Sequence, residues 1–108
     1  MSSDAHACLF FGYQVTDPPW EGQDPQDWLS ENGFGDLTVA YSGDAVGGDK
    51  MTTFVCIKNS YLTVDCGGFL MTECREHPNW RQRLGHLRRI LSNQSATLPG
   101  WILTSVYG

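Results

Sequence analysis

Glycine and proline punctuate this chain so often that long helices are excluded. Pro18-Pro19, Gly33 and Gly35, Gly43, Gly47-Gly48, Gly67-Gly68 and Pro99-Gly100 break the sequence into short apolar segments. Gly frees the backbone for turns and Pro removes a donor, so both belong between elements rather than within them. The result must be a fold of short strands and short helices joined by many tight turns.

Each segment has its own periodicity. Residues 7–15 (Ala-Cys-Leu-Phe-Phe-Gly-Tyr-Gln-Val) are apolar on both faces, as in a central strand. Asp24-Pro25 is a helix start, with Asp24 as N-cap and Pro25 at the first helical position, and Gly33 supplies the stop. Residues 37–42 alternate, placing Leu37, Val39 and Tyr41 inward and Thr38, Ala40 and Ser42 outward. Residues 52–58 are the strongest strand signal. Asn59-Ser60 then reads as a two-residue hairpin turn into a partner strand over 61–66. From Pro78 to Leu91, Trp80, Leu84, Leu87 and Leu91 recur at helical spacing on one stripe. Trp101 to Tyr107 forms the last strand, with Trp101, Leu103, Ser105 and Tyr107 on one face.

The order β-α-β-β-β-α-β predicts an α+β fold: one domain over 1–108, an antiparallel sheet of four or five strands, and two helices on one face. If residues 61–66 extend the preceding strand, the order reduces to the ferredoxin-like βαββαβ pattern. The 41% hydrophobic content is enough for one core, and with only 18% charged residues the chain need not stay disordered. No basic stretch leads into an apolar one near Met1, and the apolar run Ala7 to Phe11 is far short of a bilayer span. The expectation is a cytoplasmic protein with no membrane partner. Its cysteines Cys8, Cys56, Cys66 and Cys74 are then reduced and buried.

Charge is sharply segregated. The first 49 residues hold Asp4, Asp17, Glu21, Asp24, Asp27, Glu31, Asp36, Asp44 and Asp49 with no Lys or Arg. Lys50, Lys58, Arg75, Arg81, Arg83, Arg88 and Arg89 all follow, against Asp65, Glu73 and Glu76. The halves carry −9 and +4, which sum to the −5 of the chain. On a helix, Asp24, Asp27 and Glu31 fall within about 60° of one another. The dipole accounts for Asp24 and Asp27. Glu31, near the C-terminal end and four residues from a like charge, is left without that explanation. The stripe is either a solvated helix face or a docking surface for a basic partner. Literal nucleic-acid mimicry is weaker, since a duplex carries about six charges over the ~10 Å that this stripe covers with three. Glu21 and Trp20 adjoin it. Trp20, in a polar stretch, either folds back on the core or serves as an exposed anchor.

The arginines of 75–89 suit bidentate recognition of carboxylate or phosphate. A pI of about 4.9 argues against a nucleic-acid surface, and the obvious carboxylates are in the same chain, so internal or homodimeric pairing competes with an external anion. Cys66, Cys74, His77 and His86 match no zinc-ligand spacing, and nothing marks Cys74 as a nucleophile activated by His77 or His86. Phosphate-loop, dinucleotide, serine-hydrolase and zinc-protease motifs are absent. The expectation is a non-enzyme with no metal and no cofactor.

Trp80-x₃-Leu84 on an arginine-bearing helix, the segment Pro99-Gly100-Trp101-Ile102-Leu103, and the opening Phe10-Phe11-Gly12-Tyr13 followed by acidic residues resemble small accessory proteins of bacteriophages, including the anti-CRISPR type. The resemblance covers about half the chain in pieces and brings no catalytic residues. It implies a compact α+β protein in the host cytoplasm that blocks the nucleic-acid site of a host or defence protein. The residues then expected to meet that partner are Trp20, Glu21, Asp24, Asp27 and Glu31. The alternative is a small structural or assembly subunit whose opposite-charged halves pair in a homo-oligomer. A thiol titration of the denatured, unreduced protein is expected to count all four cysteines of the sequence.

Overall fold

The computed structural model describes residues 5–20, 22–44, 52–65, 68–69, 71–91 and 98–107. Its elements are β1 (Ala5–Val15), α1 (Pro25–Glu31), β2 (Leu37–Asp44), β3 (Thr52–Ile57), β4 (Leu62–Asp65), α2 (Pro78–Ile90) and β5 (Gly100–Tyr107). The expected α+β architecture is present: a five-stranded, almost wholly antiparallel sheet with both helices on one face.

β1 is the strand around which the rest is arranged. One edge pairs with β5, from Ala5↔Tyr107 to Gly12↔Gly100. The other edge is shared, with β4 opposite His6 to Leu9 and β3 opposite Gly12 to Val15. The predicted hairpin at Asn59-Ser60 is therefore corrected, because β4 does not fold back on β3 but continues it along β1. From Leu9 to Gly12 the register advances three residues, while its partner advances six from Cys56 to Leu62. The excess is taken up by a 3₁₀ turn, Lys58–Ser60. Treated as one interrupted strand, β3 and β4 lie between β1 and β2, and β5 lies on the far side of β1. That is the connectivity of the βαββαβ alternative.

Ser60 heals the interruption. Its buried Oγ accepts a hydrogen bond from the Phe11 N–H at 2.9 Å and donates to the Ile57 carbonyl at 2.7 Å, satisfying ladder groups that the turn would leave bare. Gly12 is required at the same place, since a Cβ there would overlap the Val55 carbonyl oxygen.

Alternation along β1 feeds two cores. Phe11, Tyr13 and Val15 face the helices and pack with Leu37, Val55, Ile57, Leu29, Leu84, Leu87 and Leu91. The helix stripe predicted from Trp80, Leu84, Leu87 and Leu91 is the one that packs, although α2 ends at Ile90 and Leu91 is its C-cap. Cys8 and Phe10 point the other way and pack with Ala40 and Cys56, flanked by Phe54, Tyr61 and Ile102. This second core exists because the sheet curls. β2 meets the end of β5 in a short parallel pairing at Gly43↔Val106 and Asp44↔Tyr107, and Ser42 and Thr104 hydrogen-bond through their hydroxyls. Gly43, at φ 120°, takes a backbone conformation that side chains disfavour where the strand bends.

The curl overturns two side-chain assignments. Ala40, expected outward, is buried in the second core, whereas Tyr41, expected inward, is 39% exposed. Leu103 is 74% exposed, while its neighbour Ile102 packs inward on the second core. Among the described residues, no helix is long and apolar enough to cross a membrane.

Leu84→Ala is expected to cost about 2–5 kcal/mol in chemical denaturation, as for buried leucines generally. Ser60→Ala, which strands a buried donor and acceptor, is expected to cost about 1–3 kcal/mol while leaving the denaturant slope unchanged.

Candidate functional site

Helix α1 is only seven residues long, yet its ends are well defined. Asp24 Oδ1 accepts from the N–H groups of Gln26 (2.8 Å) and Asp27 (3.3 Å), and Pro25 occupies the first turn. At the other end Gly33 turns left-handed (φ 84°), and the Phe34 N–H reaches back to the Leu29 carbonyl at 2.7 Å. Leu29 and Phe34 are buried in the main core and Trp28 packs against it, which fixes the rotation of the helix. Asp24, Asp27 and Glu31 then point outward together and are exposed, as their spacing predicts.

None of the three is ion-paired among the described residues. Asp24 is occupied with its cap, and Glu31 Oε1 accepts a hydrogen bond from Gln23 Nε2 at 3.0 Å. Glu21 lies outside the described residues. Trp20 is a correction to the expected anchor: it is 6% exposed and meets Trp28 edge-on at 5.8 Å, so it closes the core beneath the helix. An indole whose apolar area is already buried gains little from a partner.

The arginine helix is largely engaged by its own chain. Arg83 makes a bidentate contact to Asp36, Nε to Oδ2 at 2.9 Å and Nη2 to Oδ1 at 2.8 Å. Nη2 also donates to the Gly33 carbonyl at 2.7 Å, and the guanidinium lies 5.0 Å from the centre of the Phe34 ring. One arginine thus clamps α2 to the loop between α1 and β2. Among the described residues, it is the one salt bridge that joins the acidic half to the basic half. Asp36 lies between α1 and β2 with no periodicity to mark it, so the sequence holds no sign that it is the partner of Arg83.

Arg81 holds Glu76 through two contacts of 2.9 Å, donates to the Pro99 carbonyl at 3.2 Å and covers the Phe11 ring. Arg75 pairs with Glu73 in an open setting that contributes little to stability. Arg88 and Arg89 sit in the last turn of α2, where the dipole favours them.

Hydrogen bonds from Arg83 hold the Asp36 carboxyl below its ordinary value of 3.8, and those from Arg81 lower Glu76 likewise. Burial pushes the Cys56 thiol up to about 12, with Cys8 nearby adding to it. Cys8 Sγ and the Tyr61 hydroxyl are in hydrogen-bond contact at 3.1 Å. Cys8, Cys56 and Cys74 are free thiols; the first two are buried as expected, whereas Cys74 is exposed, which corrects its expected burial; Cys66 lies outside the described residues. His77 packs on Trp80 rather than on a thiol. No three His, Cys, Asp or Glu side chains gather as a metal site among the described residues. The chain matches no protein-family model, no curated protein and no solved structure.

Two outcomes follow from this geometry. Because the folded pKa of Asp36 is depressed, the clamp's contribution is present above about pH 4 and is lost as pH falls through the lower folded value. Urea titrations of the native protein and Asp36→Asn should differ at neutral pH and converge only in strong acid. In native alkylation Cys74 should react readily, whereas Cys8 and Cys56 should react only on unfolding.

Proposed function

We propose that this protein is a non-enzymatic binding protein that docks through the acidic outer face of α1 on the basic surface of a nucleic-acid-handling protein and blocks it. The observation that carries this reading is an imbalance in pairing. Asp24, Asp27 and Glu31 are exposed and without ion pairs among the described residues, while Arg75, Arg81 and Arg83 each hold a carboxylate of their own chain. An acidic surface left open on a chain of net charge −5 raises the encounter rate with a basic groove and disfavours direct contact with nucleic acid.

The role fits the host-defence inhibitors that the sequence resembles. The assembly-subunit alternative has less support, because Arg75, Arg81 and Arg83 already hold carboxylates within the chain and are not open to head-to-tail pairing. Arg88 and Arg89 are the arginines among the described residues without such a pair.

Reversing Asp27 and Glu31 to Lys tests the proposal. Association with a basic partner, recovered by pull-down from the native host, should slow by about tenfold or more at low salt. The difference should shrink near 1 M salt, where the screening length falls to roughly 3 Å. Stability should stay within about 0.5 kcal/mol, since both side chains are exposed and a like-charge pair is removed. Unchanged association at low salt would exclude the α1 face as the docking surface.

A further inference from the structure

A cleft of about 440 Å³ opens beside the start of β2, lined by Thr38, Val39, Lys58 and Tyr61. It is separate from the acidic face of α1, and its size is within the range of small-molecule sites. Three features give it chemical character. Its aromatic wall is held in place: the Tyr61 ring stacks on buried Phe10, with centroids 5.8 Å apart and planes 11° from parallel, and its hydroxyl is in contact with Cys8. The residue that carries its cation is fixed at the backbone, for the Lys58 N–H donates to the Asp36 carbonyl at 3.0 Å and the Lys58 carbonyl accepts from the Tyr61 N–H at 3.3 Å, while the side chain itself is exposed. That cation makes no salt bridge among the described residues, although it is near enough to the Asp36 carboxylate, which both arms of Arg83 hold, to help lower its pKa. Thr38, whose register partner Cys56 belongs to the second core, is on the same side of the sheet as Tyr61.

From this arrangement we infer that the cleft binds a small aromatic carboxylate, its ring against Tyr61 and its anionic group on the Lys58 ammonium and the Thr38 hydroxyl. Preorganisation favours this class. A clamped ring presents a flat apolar surface without further loss of rotamer freedom, and an unpaired ammonium gains a charge-assisted hydrogen bond that a neutral ligand cannot supply. A ring without a charge, or a charge without a ring, satisfies only half of the site.

Backbone-amide NMR titration of the full chain with benzoate reads this directly, with benzyl alcohol and acetate as probes lacking the charge and the ring. Benzoate should shift the amides of Val39, Lys58 and Tyr61 saturably, with a dissociation constant on the order of 1 mM, as for a ligand of this size. Benzyl alcohol and acetate should bind about tenfold more weakly, and Lys58→Gln should weaken benzoate by about the same factor. Lys58 is exposed, so the variant should keep its spectrum, and Lys58→Met provides an independent check of the lost charge. Shifts centred on Arg88 and Arg89, no saturation with benzoate, or unchanged affinity in both Lys58 variants would overturn the inference. None of these outcomes bears on docking through α1.

Discussion

The structure depends on the continuous edge that β3 and β4 jointly offer to β1. A central strand apolar on both faces is tolerable only if each backbone group along it finds a partner, because no water reaches them. β1 meets that condition on one side with β5 alone and on the other with two strands joined through a turn. The Ser60 hydroxyl bridges the join by accepting from the Phe11 N–H of β1 and donating to the Ile57 carbonyl at the end of β3. With the edge intact, Phe11, Tyr13 and Val15 are delivered to the helices and Cys8 and Phe10 to the opposite side.

The second core follows from the same geometry. A sheet covered by helices on one face ordinarily leaves the other to solvent. Here the ends of β2 and β5 come together, so the uncovered face shelters its own apolar side chains. The cleft beside Thr38 and Tyr61 lies where β2 begins, away from that closure. Its lining comes from β2 and from the turn that joins β3 to β4, and no run of residues in the sequence announces it.

Charge is engaged at one point of the described structure and left open at another. Asp36 and Arg83 use it for attachment: a bidentate contact, a backbone carbonyl and an aromatic ring all converge on one guanidinium and tie the arginine helix to the acidic half. Asp24, Asp27 and Glu31 remain outside that attachment. The helix is rotated by Leu29, Trp28 and Phe34, which take the inward positions and leave the carboxylates facing water. Formal charge alone does not separate the paired carboxylate from the open ones, since Asp36 and Asp27 contribute equally to it.

Local rules were legible in the residues themselves. The cap at Asp24-Pro25, the stop at Gly33, the stripe of α2 and the outward stripe of α1 each depend on interactions within a few positions, so the amino-acid order determined them. The α+β class and the βαββαβ alternative followed from the same patterns. Tertiary structure decided what depends on distant residues. It set Ser60 as a bridge instead of a hairpin turn, Trp20 as a core residue instead of an anchor, Ala40 inward with Tyr41 exposed, and Asp36 as the partner of Arg83. The hydrogen bonds of Ser60 to Phe11 and of Arg83 to Asp36 span 49 and 47 positions in the chain. Hydrophobic periodicity is a short-range signal and carries no information about such partners; only closure of the sheet brings them together.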